Sequence, residues 1–145
     1  MAVRTTYIKC TRSNKTNSFA GDVTVKTGAQ EVLGFWSAGA QSTGTKKAGI
    51  IIGKACTITD VRAYLDTAPV GANFIIDVNK NGTTMFTTQA NRPTVTASEN
   101  ASSTTLPDVT SIAAGDRITY DIDQIGSSTA GSDLYLSITV TRTTI

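Results

Sequence analysis

Residues 133–143 read DLYLSITVTRT and alternate apolar with polar positions almost without a break. Leu134, Leu136, Ile138 and Val140 fall on one side, and Tyr135, Ser137, Thr139 and Thr141 on the other. A period of two belongs to an extended strand with one face on a core and one face turned outward. Nowhere does the chain show the 3.6-residue period of an amphipathic helix of useful length. Threonine, abundant throughout, is β-branched and suits a half-buried pleated surface. An all-β fold is therefore expected.

The same logic partitions the rest of the chain. Residues 31–38 (EVLGFWSA) form a first strand, with Phe35 and Trp36 on opposite faces. A Gly/Ser/Thr loop at 39–45 leads to 48–52, whose AGIII run reads as a strand buried on both sides. Residues 56–67 place Cys56 and Ile58 in one phase, then Val61, Ala63 and Leu65 in the other, so a β-bulge is expected near Asp60. After the turn Ala68-Pro69-Val70-Gly71, residues 73–79 put Phe74, Ile76 and Val78 on one face. Asn81-Gly82 supplies the positive-φ pair of a tight hairpin, with 83–88 as the return strand. Arg92-Pro93 precedes a short strand at 94–97, and a polar loop at 98–107 precedes another at 108–112. Beyond the Gly115-Asp116 turn, residues 117–123 bury Ile118, Tyr120 and Ile122, and a loop at 126–132 leads to the final strand. Roughly eight short strands with regular turns point to an antiparallel β-sandwich of jelly-roll type. One such domain, residues 31–145, follows an extended arm at 1–30.

Several function classes fall away on composition. The chain has no histidine, which removes Ser-His-Asp and Cys-His catalysis and the common histidine metal sites. Cys10 and Cys56 are too far apart for a CxxC motif and are expected to be free structural thiols. No apolar run approaches the ~18 residues of a membrane span, and residues 1–16 lack the apolar core of a secretory signal, so a soluble product is expected, with no membrane partner. A net charge of +2 is too small for general nucleic-acid binding. It is unevenly spread, however. Arg4, Lys9, Arg12, Lys15 and Lys26 face one acid, Asp22, in residues 1–30, whereas 31–145 hold eight bases and ten acids.

Each candidate site also has a plainer role. Asp77-Val78-Asn79-Lys80-Asn81-Gly82 matches the opening of an EF-hand loop, but the twelfth position is Thr88 rather than a bidentate Glu, and the flanks are strands. A hairpin is the better reading, with no metal and no cofactor. Asp121 and Asp123 share a strand face, as a glycosidase pair would, yet they read as the solvated side of an amphipathic strand. Asp116 is placed to accept turn amides. Phe35, Trp36 and Tyr64 are candidates for a glycan platform or for packing at a subunit interface, and packing is favoured. Lys46-Lys47 and Lys54 suggest a basic edge that discourages unwanted strand pairing. The basic leader reads either as an arm lying over an acidic protein surface or as a solvated tail or home-sheet strand, and the arm is favoured.

Two runs carry a resemblance. CTITDVRAYLDTAPVGANFIIDVNKNGTTMFTTQANRP and AAGDRITYDIDQIGSSTAGSDLYLSITV, within residues 56–140, resemble a domain of virion structural proteins of tailed bacteriophages. It occurs in tail-fibre and minor structural proteins, and small jelly-roll capsid decoration proteins look similar. The resemblance implies a structural or adhesive role, no enzymatic activity and frequently a homotrimer, and it transfers no catalytic residue. A short basic arm on one such domain, without a repetitive shaft, resembles a capsid decoration (cement) protein. That reading implies the major capsid protein as partner, the capsid exterior of the virion as location and the host cytoplasm as the site of synthesis. Arg4, Tyr7, Arg12, Lys15 and Phe19 would then touch capsid subunits or a neighbouring protomer. The alternative is a tail-fibre or tail-tip protein that binds host carbohydrate.

Overall fold

The computed structural model describes residues 29–142, so the arm residues Arg4, Tyr7, Arg12, Lys15 and Phe19, along with Cys10, lie outside the described residues. Among the described residues nine strands follow one another: β1 (Gln30–Ala40), β2 (Gly44–Ile51), β3 (Cys56–Thr67), β4 (Phe74–Lys80), β5 (Thr83–Thr84), β6 (Thr94–Val95), β7 (Ser111–Ile112), β8 (Arg117–Gln124) and β9 (Ser132–Arg142). The helical content among the described residues is one 3-10 turn, Gln89–Asn91.

All pairings are antiparallel, and they are nested. The first strand pairs with the last (β1 with β9), the second with the second-last (β2 with β8), the third with β7 and the fourth with β6. Lateral contacts of β3 with β9 and of β4 with β8 then join these hairpins into two sheets, β1-β9-β3-β7 and β2-β8-β4-β5, with β6 also on β4. Nested hairpins rolled into two facing sheets constitute a jelly roll.

The core fills the space between the sheets. β3 and β9 contribute Ile58, Val61, Ala63, Leu65, Leu134, Leu136, Ile138 and Val140, and β4 and β8 contribute Phe74, Ile76, Val78, Ile118, Tyr120 and Ile122. Phe35 of β1 meets Tyr120 of β8 edge-on, with centroids 5.5 Å apart, an aromatic contact between the two sheets. The expected bulge is present: the β3–β9 register slips between Ile58 and Asp60, so Thr59 is the extra residue and Val61 turns back inward. The hairpin is present too, with Asn81 at φ 54° and Gly82 at φ 89°.

Two expectations need correcting. The 48–52 run is not buried on both sides. It lies on β2, an edge strand, where Ile51 is 71% exposed and sits opposite Arg117, and only Ile52 just beyond the strand is buried. A continuous apolar run has no phase, so the sequence does not reveal that one neighbour is missing. The 83–88 return strand stops after Thr84. The chain then turns Met85 and Phe86 into the core, held by the Thr84 hydroxyl, which donates to Asp77 and accepts from the Phe86 amide. The 98–107 loop is tied along β3 through Val61–Thr105 and Tyr64–Ala101 bridges, and Asn100 donates to the Leu65 carbonyl at 2.7 Å.

Candidate interaction surface

Pairing register converts three distant residues into one feature. On the outer face of the first sheet Trp36 lies directly opposite Tyr135, and Tyr135 directly opposite Tyr64. The rings form a row across β1, β9 and β3, with centroids 6.5 Å and 6.1 Å apart and planes inclined by 46° and 53°. Trp36 is 60% exposed, Tyr135 45% and Tyr64 44%. The next row holds Gly34, Ser137 and the exposed Arg62, which pairs with Asp60. Beyond it Val32 stands 62% exposed at the sheet edge. Exposed apolar side chains gathered in one patch, unlike single scattered ones, mark a surface made for association.

Phe35 and Trp36, taken together in the sequence as a candidate platform, are separated by the pleat. Phe35 faces Tyr120 inside, and Trp36 faces outward with Tyr135 and Tyr64. In the sequence Tyr135 falls among the polar, outward positions of the last strand. Its aromatic outward side chain was visible there, but not its place between two other rings.

The acidic side chains that the sequence offered as candidates are engaged by local structure. Asp121 accepts the Lys46 amide at 2.6 Å, and Asp123 pairs with Arg92. Asp116 accepts the Ala113 amide at 2.8 Å and the Asn81 side-chain amide at 2.7 Å, as expected for a turn aspartate. Asn81 in turn accepts the Arg117 amide at 2.9 Å, which occupies the EF-hand-like run with hairpin bonding. Lys46 and Lys47 lie on edge strand β2. Cys56 is buried and unbonded among the described residues, and burial pushes its thiol pKa up. A shallow depression over β2 and β8 is lined by Lys46, Ile51, Arg117 and Thr119 among others, with no carboxylate in its wall. Among the described residues no cluster of three or more metal-ligating side chains occurs, and no helix is long and apolar enough to cross a membrane.

These hydrogen bonds set the response to acid. The Thr88 amide holds the Asp108 carboxyl below its ordinary pKa, the Ala113 amide does so for Asp116, and the Gly39 amide for Asp133; the Arg142 side chain lowers Glu31. A lowered carboxylate stabilises the fold fully above its unfolded pKa, and that contribution fades as pH drops through the folded value. Asp77 has the opposite sign, because burial raises its pKa and the charge of Asp123 adds to the rise. Its penalty is present at neutral pH and is relieved on mild acidification. Thermal melts are therefore expected to fall steeply below about pH 4, the ordinary carboxylate range. Asp77→Asn, which retains an oxygen to accept from Thr84, is expected to melt higher than the parent at pH 7 and to lose that advantage as the pH drops. A variant that melts lower at pH 7 would contradict this account.

No family model matches the chain, and no curated protein matches it in sequence. Among solved structures, a chain of the cyanophage Pam1 capsid asymmetric unit is similar at a TM-score of 0.36 and 15% identity, with 96% of this chain and 98% of the other covered.

Proposed function

We propose that this protein is a non-catalytic structural subunit of a tailed-bacteriophage particle, a decoration protein that binds the outside of the major capsid protein lattice and stabilises the head. The observation that carries the reading is the uncovered Trp36–Tyr135–Tyr64 row with Val32, on a jelly roll in which Asp116, Asp121 and Asp123 are engaged by its own backbone and side chains. Such a body has much to offer an assembly and little with which to transform a molecule. The resemblance of residues 56–140 to phage virion domains supplies the kind of assembly. The work is done by area: modest contacts at each copy, repeated over a shell, add up without any chemical step. In this reading the basic arm, with Arg4, Tyr7, Arg12, Lys15 and Phe19, reaches over the capsid surface.

Incubating purified chain with heads that lack it tests the proposal. Full-length protein is expected to sediment with heads to saturation, whereas a chain lacking residues 1–20 stays in the supernatant with an unchanged strand signal in circular dichroism. Labelling confined to tails would overturn the head assignment. Full occupancy by the shortened chain would overturn the role of the arm.

A further inference from the structure

Open sheet edges present unpaired N–H and C=O groups, and proteins guard them with lysine, proline, bulges or shortness. Most edges of this jelly roll are guarded. β5, β6 and β7 are two residues long, and the 100–105 segment covers part of the free side of β3. β2 carries Lys46 and Lys47, and its register with β8 breaks between Gly44 and Ala48, with Lys46 at φ 53°. β1 differs. It is eleven residues long, contains neither lysine nor proline, ends the first sheet among the described residues and keeps regular register from Gln30 to Ser37.

Its central sequence is also symmetric in character: Val32-Leu33-Gly34-Phe35-Trp36. We propose that β1 pairs antiparallel with β1 of a second copy about a two-fold axis at Gly34, fusing two four-stranded sheets into one. In that register Val32 of each copy meets Trp36 of the other on the outer face, Leu33 meets Phe35 on the inner face, and Gly34 meets Gly34. The contact is self-complementary, as a two-fold interface requires. A side chain at Gly34 would touch nothing within 4 Å, so the facing glycines leave room for each indole to lie diagonally across them. The one charged residue of β1, Glu31, is held by Arg142 at 2.5 Å and would face Ser37 of the other copy, so no like charges meet. The inclined rings of the aromatic row suit side-chain interdigitation with protein better than flat stacking under a sugar, and Trp and Tyr are enriched where protein interfaces draw their energy.

The isolated full chain provides the test, so failure here is distinct from failure to bind heads. Its mass by light scattering is expected to be that of a dimer at micromolar concentration, not of the homotrimer that the family resemblance implies. Trp36→Lys, at a position exposed in the single chain, should halve that mass with an unchanged strand signal in circular dichroism. In a Cys10→Ser background, Gly34→Cys should be joined to itself by a short bis-maleimide, and Val32→Cys should not. A monomeric parent, a larger oligomer indifferent to Trp36→Lys, or equal cross-linking at both positions would overturn the pairing. So would a parent that dimerises only after loss of residues 1–20, because the chain's own arm would then occupy the edge.

Discussion

Phe74→Ala is expected to lower the unfolding free energy by about 3–5 kcal/mol, read as a shift in the midpoint of a urea or guanidinium titration. Phe74 opens β4, is wholly buried and belongs to the central cluster between the sheets. β4 is the innermost strand of its sheet, with β8 on one side and β5 and β6 on the other, so the walls of the vacated space are held by pairings on both flanks and collapse only in part. Against a typical domain stability of about 5–15 kcal/mol, such a loss brings the protein near its unfolding threshold. Trp36→Ala removes an even larger side chain, but from the exposed outer face, and in titrations dilute enough to keep the parent monomeric the shift should stay within about 0.5 kcal/mol. If the two substitutions proved equally damaging, the division into inner and outer faces would be wrong.

Gly126→Ala is expected to be comparably severe for the opposite reason, too much volume rather than too little. A Cβ at Gly126 would stand 1.9 Å from the Thr129 carbonyl oxygen and 2.7 Å from the Val70 nitrogen. Both are backbone atoms, so no rotamer change relieves the clash. They belong to a clasp in which the Val70 amide donates to Thr129 at 2.9 Å, Ser128 to Val70 at 2.9 Å and Gly126 to Ala130 at 3.2 Å. Making room means opening that clasp, a destabilisation of about 3 kcal/mol, at the upper end for overpacking. The Val70 and Ser128 amides should then exchange with solvent far faster than core amides of β9. Gly53→Ala is the control, because nothing lies within 4 Å of its added methyl. An intact clasp in Gly126→Ala would disprove the argument.

What the sequence displayed depended on whether the information was local. The β9 alternation, the phase slip at Asp60 and the Asn81-Gly82 turn each arise within a few residues, and each is found where the pattern placed it. The exposure of Ile51 was hidden, because it depends on a missing neighbour of β2. The aromatic row was hidden for a related reason. Trp36, Tyr64 and Tyr135 become adjacent only through two strand registers, and neither register is encoded near any of the three residues. Phe35 shows the converse, since adjacency in sequence to Trp36 is what places it on the other side of the sheet.

The nesting of the strands has a consequence for the order of events during synthesis. β9 is the partner of both β1 and β3, so the first sheet has no contiguous middle until translation has passed residue 142. Contacts this far apart along the chain form late and slowly. Trp36 and Tyr64 therefore emerge long before the strand that carries Tyr135 and aligns them. A polypeptide interrupted short of β9 has no finished aromatic row, because the strand that carries Tyr135 and sets both registers is missing.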